Sequence, residues 1–370
     1  MTFTEEANFQ NTTFSRDANF CQAIFAKMAN FYEATFTEGA NFYEATFTKD
    51  AIFFLTTFTG AASFFRATFT EVAIFSEVTF TLNAAFREAK FCDAAFFDDA
   101  AFGTRNGTLA ADTEVLAIAD FRDVRFLKPE LVRFLRTNGR ETEGLRVRFA
   151  NSHVEGVQFD AVLWHRTDGR MVLQDELDVI EQGEGAPSYE ETAIAYRRLI
   201  INFENARSYD LAEDCTIGEF EMKRRDPSRF VLVKRLGSFY DRSSWFMRWV
   251  GEHLSVVGIY RLASIYGTSY QRAGLVLVLL IVSFALVFAT IIGIHPLPLS
   301  AGAISTCGQL NPAQALCSGL VHALEVATLQ REVLYKPDSS FGRVVEIFEQ
   351  VFIAGQAALL LFALRRRFRR

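Results

Sequence analysis

The feature that most constrains this chain is a phenylalanine that returns at Phe9, Phe14, Phe20, Phe25, Phe31, Phe36, Phe42, Phe47, Phe53, Phe58, Phe64, Phe69, Phe75, Phe80, Phe86, Phe91, Phe97 and Phe102, in steps that alternate five and six. The period is therefore eleven, as ANFYEATFTEG followed by ANFYEATFTKD shows. Two residues before almost every one of these Phe stands Ala, with Thr12, Thr56 and Val78 as the exceptions. An eleven-residue repeat also suits a right-handed helical supercoil. On a helix, however, residues two apart point about 200° apart, so Ala and Phe would face opposite ways and no seam would form. On an extended chain positions i−2 and i share a face, which sends Ala and Phe inward together. The Thr, Asn and Phe content also favours strand.

These residues resemble the pentapeptide-repeat family in its Phe-centred form, with a small residue at i−2 and Phe at i, over about residues 3 to 126. The resemblance implies a right-handed quadrilateral β-helix, with Phe stacked on Phe inside the tube and Ala leaving room for the neighbouring ring. From Phe3 to Phe102 this would make about five coils and a rod roughly 20 to 25 Å long at a strand spacing of about 4.8 Å. The six-residue steps predict a bulge at one corner of each half-coil. Residues 1–103 form the regular repeat. The pattern returns over 104–180 with Phe121, Phe126, Phe149 and Phe159, interrupted by KPELVRFLRTNG, which reads as a short helix from Pro129 to Gly139 that caps the tube.

Residues 181–188, EQGEGAPS, read as a linker. Ser188 and Glu191 form a candidate capping box opening a helical pair, and residues 189–271 read as helical and interfacial. Its YRRL and EFEMKRR segments resemble a region that follows the repeats in membrane-anchored prokaryotic members of the family. Trp245, Trp249, Tyr260, Tyr266 and Tyr270 interleave with Arg248, Arg261 and Arg272, a pattern suited to a helix at a headgroup region.

Residues 273–294 are uncharged and long enough to cross a hydrocarbon core of about 30 Å. Residues 344–364 make a second span, which carries Glu346, Glu349, Gln350 and Gln356 and ends in a 365–370 basic tail. Arg365, Arg366, Arg367, Arg369 and Arg370 mark that end as cytoplasmic by the positive-inside rule. With two spans the N-terminus is expected on the same side, in agreement with an opening MTFTEEANFQ that has neither a basic nor an apolar leader region. The chain is thus expected to be a mixed β and α, multi-pass protein of the cytoplasmic membrane, in contact with lipid. Residues 295–343 become an external loop, where Cys307 and Cys317 are candidates for a disulfide.

Span, loop helix, span and basic tail resemble the two-span pore module of tetrameric cation channels. In the selectivity-loop position stands TLQREVLY with no Gly, so potassium selectivity does not carry over. Intramembrane carboxylates are costly and normally face protein or water. Glu346 and Glu349 are therefore candidate pore-lining or interhelical groups.

The five His show no metal-ligand spacing, and no Walker, GxGxxG or GxSxG motif is present. No cofactor and no enzymatic activity are expected. Over residues 1–102 acidic residues outnumber basic ones by thirteen to six. Some pentapeptide-repeat proteins imitate DNA with such a rod, but that role needs no membrane spans. The interleaved charge reads as a solvated face, and no nucleic-acid partner is expected. The leading expectation is a membrane-anchored scaffold that binds a protein partner, the alternative a homo-oligomeric, channel-like protein with a β-helix sensor.

Overall fold

A computed structural model of the chain describes residues 1–103, 117–139, 144–229, 253, 255–292, 294–296, 312–328, 335–337 and 339–368. They fall into two compact units, Met1–Val231 and Leu232–Arg370.

The first unit begins as a parallel β-solenoid with four faces, whose sheets contain six, seven, five and six short strands. The first face opens with Thr2–Phe3, the second with Ala7–Asn8, the third with Thr13–Phe14 and the fourth with Ala18–Asn19. Among the strands up to Phe102 each pairs with the one a full turn later, 22 residues on, as in Thr35↔Thr57 and Ala51↔Ala73. Two eleven-residue repeats therefore make one coil.

Ring packing explains this period. Phe42 and Phe64, one coil apart, stack at 4.9 Å and 1°. Phe42 and Phe53, half a coil apart, meet edge to face at 5.5 Å and 87°. Both arrangements suit the quadrupoles of aromatic rings, and the inward Ala supplies the space they need. From Phe25 to Phe102 every repeat Phe is at most 1% exposed. Where Ala gives way to Thr56, the buried hydroxyl donates to Phe31 O at 2.7 Å, and Thr137 does the same to Phe97 O at 2.7 Å.

The corners differ from the expected bulge. Left-handed residues occur every eleven positions, at Asn11, Gln22, Glu33, Glu44, Leu55, Arg66, Glu77, Glu88 and Asp99, and all lie in the five-residue steps. There a tight turn closes by a bond from the residue two before the next Phe, such as Thr12 N–H to Phe9 O at 3.1 Å. A left-handed third residue gives this turn the type II pattern. The six-residue corners use the additional residue to turn without one.

The helix expected over 129–139 is not formed. Pro129–Leu131 is a single 3-10 turn, and Val132–Leu135 is a strand of the second face, paired with Ala95–Phe96 and Gln158–Asp160. Val132 and Phe134 repeat the small-x-Phe pattern, and both are buried. Period two wins over a stretch whose helical reading rested on its ends.

The far end of the tube is closed instead by α1 (Gln174–Glu181), α2 (Tyr189–Asn205) and α3 (Tyr209–Arg225). Ser188 and Glu191 form the expected capping box at the start of α2. The Phe column ends in Phe134, Phe159, Trp164 and then Phe203 of α2, with Phe159 and Trp164 5.3 Å apart and Trp164 and Phe203 5.8 Å apart. The helical pair therefore belongs to the solenoid's unit.

In the second unit, α4 (Val256–Ser264) precedes α5 (Tyr270–Val287), which continues as a π turn over Phe288–Ile292. A shorter helix α6 (Pro312–Ala327) and a long α7 (Ser340–Phe368) follow. Ile294–Pro296 and Tyr335–Pro337 pair antiparallel and tie together the two ends of the segment that carries α6. Two helical stretches, Tyr270–Thr290 and Ser340–Arg366, are long and apolar enough to cross a membrane.

Candidate functional site

Three regions hold the polar and apolar groups with functional potential, and each follows from the repeat register or the helix period.

The first is the outside of the solenoid. Outward positions on the first and third faces are mostly Thr, for example Thr46 and Thr68, and Thr35, Thr57 and Thr79. On the second face the outward column begins with Asn8 and Asn30, whose side-chain oxygens accept the N–H of Gln10 and Tyr32 at 3.0 Å. It continues as Ile52, Ile74 and Phe96 in direct register. Beside it Tyr32 and Phe54 stack at 5.8 Å. All five of Tyr32, Ile52, Phe54, Ile74 and Phe96 are half-exposed. The middle of this face is thus an apolar stripe, bounded by Asn30 and by Arg133, whose guanidinium lies over the Phe96 ring at 5.1 Å, and an exposed apolar stripe is a candidate interaction surface.

Charges on the other corners are consumed coil to coil. Lys27 reaches Glu5 at 2.5 Å, Lys49 pairs with Glu71, and Arg66 lies 2.7 Å from Glu88. Beyond residues 104–116 the ladder resumes with Lys128 to Asp93 at 3.0 Å and Arg136 to Asp99 at 2.6 Å. Exposed pairs of this kind contribute little individually, but their regular spacing leaves no continuous acidic stripe on these corners.

The second region is the cap. An unpaired last coil would bury peptide groups without partners, a cost of about 1–3 kcal/mol each. Side chains meet this requirement. The Asp175 carboxylate accepts the N–H of Phe149 at 2.6 Å and of Ala150 at 3.2 Å. Asn202 accepts Gly156 N–H at 2.7 Å and donates to Val154 O, and Arg198 donates to Ser152 O. Burial pushes the Asp175 carboxyl up to about 7, opposed by the two N–H donors, with Asp120 adding to the rise and Arg122 reducing it. Tyr196, fully buried, accepts Leu173 N–H at 3.0 Å and donates to Glu176 at 2.5 Å, and Arg170 holds Glu176 at 2.7 Å. Of these residues only Tyr196 and Arg198, in the YRRL segment, stood out in the sequence. Asp175 and Asn202 become visible only once a coil edge is seen to need partners.

The third region is the helical unit. Of the four polar residues singled out on the second span, Glu349 and Gln356 are buried, Glu346 is half-buried and Gln350 is exposed. Seven residues make nearly two turns, so 349 and 356 share a face, whereas 350 is turned about 100° from 349. Gln356 Nε2 donates to Ala263 O and Ala273 O, both at 2.9 Å. On α6, His322 and Glu325 are also buried, with the His322 ring edge-on to Phe288 at 4.6 Å. Cys317 is a free, exposed thiol on α6, while Cys307 lies outside the described residues. Arg365, Arg366 and Arg367 continue α7 without a break, and Arg369 and Arg370 lie outside the described residues. On α4, Val256, Ile259 and Leu262 point an apolar stripe outward.

Among the described residues no group of three His, Cys, Asp or Glu side chains converges to hold a metal ion. No family model, curated protein or solved structure matches the chain.

Proposed function

We infer that this chain is a membrane-anchored scaffold of the pentapeptide-repeat type, with a right-handed, four-sided β-helix held in the cytoplasm by two transmembrane helices. The membrane half of this reading is supported by where the apolar surface lies. Only 17% and 22% of the two apolar helical windows are buried, and Leu275, Val351 and Leu361 are 60%, 64% and 66% exposed. A core helix of a water-soluble domain would be covered, whereas lipid is the natural cover for these side chains.

The scaffold half is carried by the apolar stripe on the second face. The stripe lies on a rod stiffened by stacked rings, so a partner would meet a preorganised surface and little ordering entropy would oppose binding. A site-specific photocrosslinker at Phe54, compared with one at Thr57 on the third face, tests it in intact cells. The reading expects one discrete crosslinked product from position 54 and none from 57. Equal products, or none from either position, would count against it.

A second reading, a channel-like homo-oligomer, is favoured by one observation: α6 stands between the two apolar helices and buries His322 and Glu325. Current recorded from purified protein in planar bilayers separates the two readings. The scaffold reading expects none.

A further inference from the structure

Glu349 stands out among the buried polar groups of the helical unit because its chemistry is incomplete. It is 0% exposed, and neither carboxylate oxygen has a hydrogen-bond partner among the described residues. Gln356, on the same face, is fully engaged by two carbonyls. These bonds fix the surroundings of Glu349. Gln356 reaches Ala273 O, and Phe362, further along α7, lies against Gly267, ahead of α5, where an added Cβ would come within 2.9 Å of it. Helices α5 and α7 therefore run antiparallel, and Glu349, about 10 Å along α7 from Gln356, is level with the middle of α5, about seven residues beyond Ala273. Helix α6 packs on α5 further along, because a Cβ on Gly319 would come within 2.3 Å of Ala285 O.

The ionisable groups on the elements around it are few. Helix α5 contributes none after Arg272, and α6 offers His322 and Glu325. Glu346 lies one turn earlier on α7, and Arg261 of α4 lies toward the Gln356 end. None of these donates a hydrogen bond to Glu349. An ionised carboxylate in such a place is desolvated with nothing to offset the penalty, whereas the neutral acid carries only that of an unpaired polar group.

We propose that Glu349 is a proton-binding site, a carboxylic acid held neutral inside the packed helices of this unit. It releases its proton only when these helices part enough to admit a donor. The site would make the helical unit responsive to protons. This goes beyond the scaffold reading and does not depend on what the solenoid binds, because it rests on packing within the helical unit alone.

Infrared difference spectroscopy on the full chain in liposomes reads the protonation state directly. Wild type minus Glu349→Gln at neutral pH is expected to show the carbonyl stretch of a protonated, weakly hydrogen-bonded carboxylic acid, shifted in heavy water. Wild type minus Glu346→Gln is expected to lack that band. Both variants should melt with the wild type, since Gln is neutral and of similar shape. A Glu349 difference containing only carboxylate stretches would overturn the proposal. Should Glu349→Gln fail to fold, carbodiimide treatment of the wild type decides, because that reagent adds to protonated carboxyls in apolar surroundings. An N-acylurea on the peptide bearing Glu349 supports the proposal, and an unmodified Glu349 beside other labelled carboxyls overturns it.

Discussion

The rings of Phe53 and Phe75, one coil apart, lie 4.8 Å from each other and within 3° of parallel, and both are completely buried. Phe53 also stacks on Phe31 below and meets Phe42 and Phe64 edge to face. Replacing Phe53 by Ala removes these contacts, and those to Phe47 and Phe58, from a core that cannot collapse along its axis without breaking the strand ladders. The expected loss is about 3–5 kcal/mol. Chemical denaturation of the solubilised chain, followed by the strand signal in circular dichroism, measures it.

The left-handed corners predict the opposite sign. Leu55 has φ 58°, a conformation that costs a residue with a Cβ roughly 1–2 kcal/mol and that Asn tolerates better. Leu55→Asn should therefore stabilise the solenoid, by about 1 kcal/mol. Thr57→Asn, two residues away on an extended strand, should not. The same denaturation experiment compares them.

Asp175 makes the cap sensitive to pH. Its carboxyl is raised from 3.8 to about 7 in the folded unit, mainly by burial. The folded chain therefore binds the extra proton between those values. This contribution to stability is complete below about pH 4 and is lost as pH rises through about 7, over a range worth roughly 4 kcal/mol. Asp175→Asn removes the ionisation and keeps one acceptor oxygen, so one of the Phe149 and Ala150 N–H bonds is lost at every pH. Melting temperature followed across that window should fall less steeply in the variant than in the wild type.

Gly218 of α3 faces the ring of Tyr196, where an added Cβ would stand 2.5 Å from Cζ. Gly218→Ala should force Tyr196 off Leu173 and Glu176 and cost about 1–3 kcal/mol. Faster hydrogen exchange at the Leu173 amide, which the Tyr196 hydroxyl now accepts, would report the displacement.

The solenoid was legible in the sequence because each coil repeats one rule, a small residue and a Phe two apart, and a parallel ladder copies that rule without long-range choices. Val132-Arg133-Phe134 follows the same rule and was read as helix only because Pro129 and Gly139 framed it. The cap was not legible. Asp175 and Asn202 matter because of peptide groups on the last coil, more than 20 residues earlier in the chain, and no local pattern marks them. For the helical unit, the apolar lengths of both spans could be read directly. The separation of Glu349 and Gln356 from Gln350 needed the face along which α7 meets its neighbours.

The account rests above all on a membrane lying between the solenoid and helix α6. Cys21 is half-exposed on the repeat and Cys317 is exposed on α6, so native thiols mark both sides. A membrane-impermeant maleimide applied to intact cells, with and without prior reduction, tests this most directly. The account predicts that Cys317 is labelled from outside, while Cys21 and Cys92 react only after permeabilisation. Labelling of Cys21 and Cys317 from the same side, or release of the whole chain from membranes by alkaline carbonate, would contradict it.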